Sequence, residues 1–215
     1  MNDATLKQYV IDELAWRPHI DSAHIGVTAK DGVVTLSGFV PSFAQKFEVE
    51  KVVKDVVGVR GVAEEVEVRY PGDYSTKDDE IAQRALNSLA WDAVVPKDSV
   101  KVTVQDGVVT LTGEVSWQFE RSAAADAVRT LYGVVDVINN ITLKSRPQPA
   151  DVKSRIEDAL KRNAQLDSDA IRVSVDAGTV TLDGTVDSWP ARYAAENAAW
   201  SAPGVRTVRD RLAVS

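Results

Sequence analysis

At 215 residues and 44% hydrophobic content, the chain is long enough to bury one large core or several small ones, and composition leaves that choice open. A net charge of −7 and a pI near 4.9 exclude a general nucleic-acid binder, which needs a basic surface to neutralise phosphates. The absence of cysteine excludes a disulfide framework and a thiolate zinc site.

The N-terminal Met1-Asn2-Asp3-Ala4-Thr5-Leu6-Lys7 carries charge at once and lacks the apolar run of a secretory signal. No later stretch reaches the ~18 apolar residues of a membrane span. As written, the chain reads as cytoplasmic; a chain processed from an exported precursor would read the same and be periplasmic.

The first predicted helix is marked by Leu6, Val10 and Leu14, which share one helical face. Two runs of period-two alternation follow, Ile25, Val27, Ala29 and Val34, Leu36, Gly38, Val40. Between them, Lys30-Asp31-Gly32 has the chemistry of a hairpin turn, because Gly accepts positive φ. Thr28, Thr35 and Ser37 fall on the opposite side, so one sheet face is buried and the other wet. Gly38 sits on the buried side, where a missing side chain signals close approach of a helix or of backbone. A second helix turns Val49, Val52, Val53 and Val56 toward the core, with Gly58 placed as its C-cap. A closing strand alternates Val62, Val66 and Val68.

The same series then begins again, twice. Lys30 to Gly38 recurs as Gln105-Asp106-Gly107-Val108-Val109-Thr110-Leu111-Thr112-Gly113, and more loosely as Asp176-Ala177-Gly178-Thr179-Val180-Thr181-Leu182-Asp183-Gly184, at offsets of 75 and then 71. The first helix returns as Ile81, Ala85, Leu89 and as Val152, Ile156, Leu160; the second as Ala124, Ala127, Val128, Leu131 and as Ala195, Ala198, Ala199, Ala202. Gly133 and Gly204 repeat Gly58, and the closing strand returns as Val137, Ile141, Leu143 and as Val208, Leu212, Val214. Thr76, three residues before Asp79, suits an N-cap, and Pro149 suits a first helical turn. Pro71-Gly72-Asp73-Tyr74-Ser75 and Ser145-Arg146-Pro147-Gln148-Pro149 read as linkers. The expected fold is α+β: three tandem αββαβ modules over 1–70, 76–144 and 149–215, each a three-stranded sheet with two helices on one face.

In this order of elements, the Gly-Val-Val-Thr-Leu-x-Gly strand, the Ala/Val-rich second helix and the Gly-Val turn, each module resembles the BON (bacterial OsmY and nodulation) domain. The resemblance implies a non-enzymatic bacterial module, usually periplasmic or outer-membrane associated, linked to phospholipid binding and to envelope or osmotic stress.

Chemistry is sparse. His19 and His24 lack the Cys or carboxylate spacing of a metal site. Asp31 and Asp106 repeat, but copy three has Ala177 there, and turn formation accounts for the pair. No phosphate loop, paired carboxylate or Ser/His/Asp order is visible, so neither enzyme nor cofactor is expected.

The aromatic residues are less readily absorbed. Trp189, Tyr193 and Trp200 lie within about 40° of one another around the second helix of copy three, roughly 150° from its alanine face at 100° per residue. The register counterparts of Trp200 are Lys54 and Arg129, which predicts an exposed Trp200. Arg192 flanks the stripe, with Arg206, Arg209 and Arg211 nearby. Basic and acidic residues number 8 and 11 in 1–70, 7 and 11 in 71–145, and 10 and 10 in 146–215, so only copy three is not net acidic.

Two readings stay open. The stripe packs on a neighbouring module or a second copy, or Trp189, Tyr193 and Trp200, with Arg192 and Arg206, meet an anionic phospholipid surface or a protein partner. Alternatives for the whole chain are a cytosolic potassium or calcium sensor and a self-assembling scaffold without ligand. Trp16 and Trp91, ending the first helices, are expected to cap the rims of their own cores; Trp117, in the loop before the second helix of copy two, is unassigned.

Overall fold

The computed structural model describes residues 2–71, 76–144, 151–164 and 166–214. Most of both linkers and the Pro149 helix start lie outside the described residues. The elements follow the expected order three times. Module one is α1 (Asp3–Trp16), β1 (Ile25–Lys30), β2 (Val33–Val40), α2 (Phe43–Lys54) and β3 (Gly61–Val68). Module two is α3 (Asp78–Trp91), β4 (Val100–Gln105), β5 (Val108–Val115), α4 (Gln118–Arg129) and β6 (Asp136–Leu143). Module three is α5 (Val152–Lys161), β7 (Ile171–Asp176), β8 (Thr179–Val186), α6 (Trp189–Trp200) and β9 (Thr207–Val214).

Each sheet has three strands in sequence order. The hairpins β4–β5 and β7–β8 are antiparallel, while β5–β6 and β8–β9 run parallel, the crossover being made by α4 and α6. The two helices of a module pack on each other and on its sheet. Leu6, Val10 and Leu14, Ile81, Ala85 and Leu89, and Val152, Ile156 and Leu160 are all buried, so the four-residue spacing of the first helices is a core-facing stripe.

The hairpin turns have positive φ at both central positions, 50° and 80° at Asp31-Gly32, 50° and 77° at Asp106-Gly107, and 43° and 82° at Ala177-Gly178. This is the primed geometry whose twist matches the flanking strands. Side chains brace the turns from outside. Asp3 Oδ1 accepts from the Asp31 amide at 2.9 Å, and Asp78 accepts from Asp106 and Gly107 at 2.8 and 3.0 Å. In module three, where the counterpart of Asp78 is Pro149, Arg206 donates to the Ala177 carbonyl at 2.6 Å instead.

Gly38, Gly113 and Gly184 show the backbone approach expected of them. A Cβ at these positions would lie 2.0, 2.1 and 2.0 Å from the carbonyl oxygens of His24, Ser99 and Ala170.

Two helix ends differ from expectation. Helix α3 begins at Asp78 behind Lys77, which makes no side-chain cap; Thr76 instead sits beside Gly133, where an added Cβ would fall 2.9 Å from the threonine. Helices α2, α4 and α6 end on Asp55, Thr130 and Ser201, all right-handed. Gly58, Gly133 and Gly204, at φ 90°, 96° and 82°, turn the chain toward the closing strand rather than capping the helix.

The chain divides into two compact units, Met1–Val56 with Val62–Lys144, and Val57–Gly61 with Ser145–Ser215. Inside the first, module one is docked on module two. Phe43, at the start of α2, is 8% exposed and belongs to the core cluster of module two. The Arg129 guanidinium lies 3.5 Å over the Phe47 ring. The Tyr70 ring lies tilted against that of Tyr132, 4.5 Å between centroids, and its hydroxyl donates to the Val134 carbonyl at 2.6 Å.

Candidate functional site

Helix α6 starts where the Ser188 hydroxyl accepts from the Ala191 amide at 3.3 Å, with proline in the first turn. Ala191, Ala195 and Ala199 are buried, which leaves the aromatic residues on the flank. Trp189 and Tyr193 are tilted neighbours 6.2 Å apart, and the Arg192 guanidinium lies 4.9 Å from the Trp189 ring. Trp200 stands about 16 Å further along the axis at 1.5 Å per residue. The expectation of an exposed Trp200 is corrected. Its ring is half-buried against the module's core, where small alanines leave room for it, and its Nε1 donates to Glu196 at 3.1 Å.

Arg192 is held within the fold. Its Nε donates to Asp210 Oδ2 at 2.5 Å, the two side chains being 25% and 14% exposed. Asp210 lies on the helix-facing side of β9, and its other oxygen accepts from the Leu212 amide at 2.9 Å. The same two positions meet in each module. In module two, Asn139 donates to the Arg121 carbonyl at 2.9 Å and accepts from the Ile141 amide at 3.2 Å. In module one, Lys46 and Glu64 lie 3.9 Å apart. This recurring polar bridge between second helix and last strand was legible as a polar residue 18 positions after a cation in all three copies. Burial pushes the Glu64 carboxyl above its ordinary range, with Lys46 opposing the shift.

The fold separates the aromatic residues from the remaining arginines. Val208, Asp210, Leu212 and Val214 face the helices, so Arg209 and Arg211 stand on the open face of the sheet, both exposed. Arg206 sits at the hairpin end, bonded to the Ala177 carbonyl. Of the five residues singled out by the sequence, Trp189, Arg192 and Tyr193 come together, while Trp200 and Arg206 lie elsewhere.

The expectation for Trp16 and Trp91 is also corrected. They are 81% and 88% exposed: each follows the last buried leucine of its helix by two residues, and this rotates the indole away from the core. Trp117 is half-buried and stacks with the exposed Phe119 at 6.4 Å, while Glu120 caps α4 by accepting from Ser116 and Trp117 at 2.7 and 3.0 Å. His24 stacks on Phe39 at 4.4 Å, and His19 lies 3.7 Å from Glu48. Among the described residues no group of three or more His, Asp or Glu gathers as a metal site would require, and no helix is long and apolar enough to cross a membrane.

The repeated elements and their shared bridge define a tandem-repeat protein of three α+β modules. Comparison with known families agrees with this class: the BON domain matches residues 2–70, 77–145 and 149–215, and the chain belongs to the BON domain family. It is 36% identical over 153 residues to the osmotically-inducible protein Y of Escherichia coli (strain K12), covering 67% of this chain and 74% of that one. Among solved structures, the C-terminal domain of CdsD, the structural protein of the type III secretion system of Chlamydia trachomatis, aligns over 100% of both chains at 15% identity and a TM-score of 0.27. A second CdsD structure aligns over 98% of this chain and 92% of that one, at 16% identity and the same TM-score.

Proposed function

We propose that the protein is a non-enzymatic, stress-related binding protein of the bacterial envelope whose BON modules meet a phospholipid surface. The stress reading is supported by the relationship to an osmotically inducible protein, and the non-enzymatic reading by the family. The observation that carries lipid contact is the exposure of Trp16 and Trp91 at 81% and 88%. An indole left in water at two equivalent helix ends contributes nothing to either core, and it is suited to the bilayer interface, where its ring and its N–H are both satisfied. Co-sedimentation with phosphatidylglycerol vesicles tests the reading: wild type pellets and Trp16→Glu/Trp91→Glu pellets less. A wild type that stays in the supernatant with every vesicle sinks it.

A second reading concerns Trp189 and Tyr193. Their register counterparts are Phe43 and Phe47, the two residues that dock module one on module two. On this reading they engage the surface of a module of the same kind and not lipid. Trp189→Glu and Tyr193→Glu then lower the melting temperature and leave vesicle binding unchanged; unchanged melting removes this reading.

A further inference from the structure

The open face of the third sheet carries a cluster of cations that neither sister module has. Register sets Arg172, Asp183 and Arg211 side by side across β7, β8 and β9, and Ser174, Thr181 and Arg209 in the next row. With strands about 4.8 Å apart and outward residues about 7 Å apart along a strand, the Cα atoms of the three arginines stand within roughly 12 Å of one another. All three are exposed. Asp183 approaches only Arg211, at 4.0 Å, and among the described residues Arg172 and Arg209 make no hydrogen bond or ion pair. Arg206 adds a fourth guanidinium at the hairpin end, bonded to the Ala177 carbonyl, and the acidic residues of the open face are Asp176 and Asp183. The counterparts of Arg172, Arg209 and Arg211 are Lys101, Ile138 and Asn140 in module two, and Gly26, Ala63 and Glu65 in module one.

We infer that this face, and not the aromatic flank of α6, receives the anionic headgroups of a phospholipid surface; the inference rests on the lipid reading above. The face also carries the hydroxyls of Ser174, Thr181 and Thr185 among the arginines, with no exposed aromatic or large aliphatic side chain on it. A protein partner would find no apolar anchor there. A headgroup layer needs none, because it offers a dense, planar array of phosphates to which each arginine adds attraction independently. In a chain of net charge −7, a local cationic face offsets the repulsion from such a layer and sets which side of module three turns toward it.

The test uses the full chain with vesicles of phosphatidylglycerol and phosphatidylcholine mixed in equal parts, and of phosphatidylcholine alone. Wild type pellets with the first only, and the bound fraction falls at high salt. Each single Arg→Gln change at 172, 209 or 211 weakens partition by roughly fivefold, and the triple variant by about a hundredfold. Arg209→Lys, which keeps the charge, binds as wild type does, and Trp189→Glu has no effect. Circular dichroism and the thermal melt of the triple variant match wild type, because all three side chains are in water. A folded triple variant that pellets as wild type does overturns the assignment and leaves the lipid reading intact. A wild type that pellets with no vesicle overturns both.

Discussion

The three strand glycines show how much a single residue decides in this fold. At Gly113 the backbone takes φ 140°, and the site of a Cβ lies 2.1 Å from the Ser99 carbonyl oxygen, so any side chain meets both strain and a clash with backbone that cannot move alone. Gly113→Ala is therefore expected to cost about 3 kcal/mol or more, near the upper end for single substitutions, as measured by urea denaturation. Ala177 is the converse case. It holds φ 43° where modules one and two have Asp, and its turn is braced by Arg206 instead of the carboxylate that Asp3 and Asp78 supply. Arg206, which reads in sequence as a surface cation, is thus a turn brace, because the third module lost the aspartate and gained a donor on the other side of the turn.

At the level of elements, the polar bridge between second helix and closing strand is the common device, with a different chemistry in each module. Arg192 and Asp210 are largely covered, so removing one partner leaves a charge poorly solvated. Asp210→Ala is expected to cost about 2 kcal/mol. Asp210→Asn, the residue that module two has at 139, keeps the acceptor for the Leu212 amide and turns an NH2 donor toward the helix, as Asn139 does toward the Arg121 carbonyl; it gives up the Arg192 acceptor but leaves no empty space, and costs less than Asp210→Ala in thermal denaturation. Glu64 gives this bridge a pH dependence in module one. Burial raises its folded pKa above the ordinary 4.5, so the native state holds the proton more tightly than the unfolded chain does. Stability then falls as pH rises from the unfolded value through the folded one. Glu64→Gln is expected to melt higher than wild type at pH 7, and the gain shrinks toward zero below pH ~4; a gain that persists undiminished in acid would assign the effect to packing.

For the molecule as a whole, the decisive fact is that modules one and two pack into one compact unit. Phe43 belongs to the core of its neighbour, and the Tyr70 hydroxyl ties the end of module one to the Val134 carbonyl. Phe43→Ala is expected to cost about 3 kcal/mol or more and to give two calorimetric transitions where the wild-type unit is expected to give one. Tyr70→Phe, which leaves the carbonyl of the buried Val134 without its donor, costs about 1 kcal/mol and keeps one transition. Burial also raises the Tyr70 pKa above its ordinary 10.0, so the unit loses stability as pH climbs past that value, since the unfolded chain deprotonates first.

The sequence by itself determined the repeat, the element order and the buried faces. Periodicity reports which side chains leave water: Leu6, Val10 and Leu14 and their six counterparts all lie in the cores. Turn chemistry was equally legible, because Asp-Gly pairs and strand glycines answer local backbone demands. Only the tertiary structure decided what the surface side chains do. Arg192 and Arg206 read as free cations until the fold brought them to Asp210 and to the Ala177 carbonyl. Trp16 and Trp91 read as core rims until a turn of helix put them in water, and the aromatic stripe and the arginines near it in sequence stand on different faces of module three. Periodicity tells inside from outside; it does not tell which outside residues meet, since those meetings join positions that chain spacing does not relate.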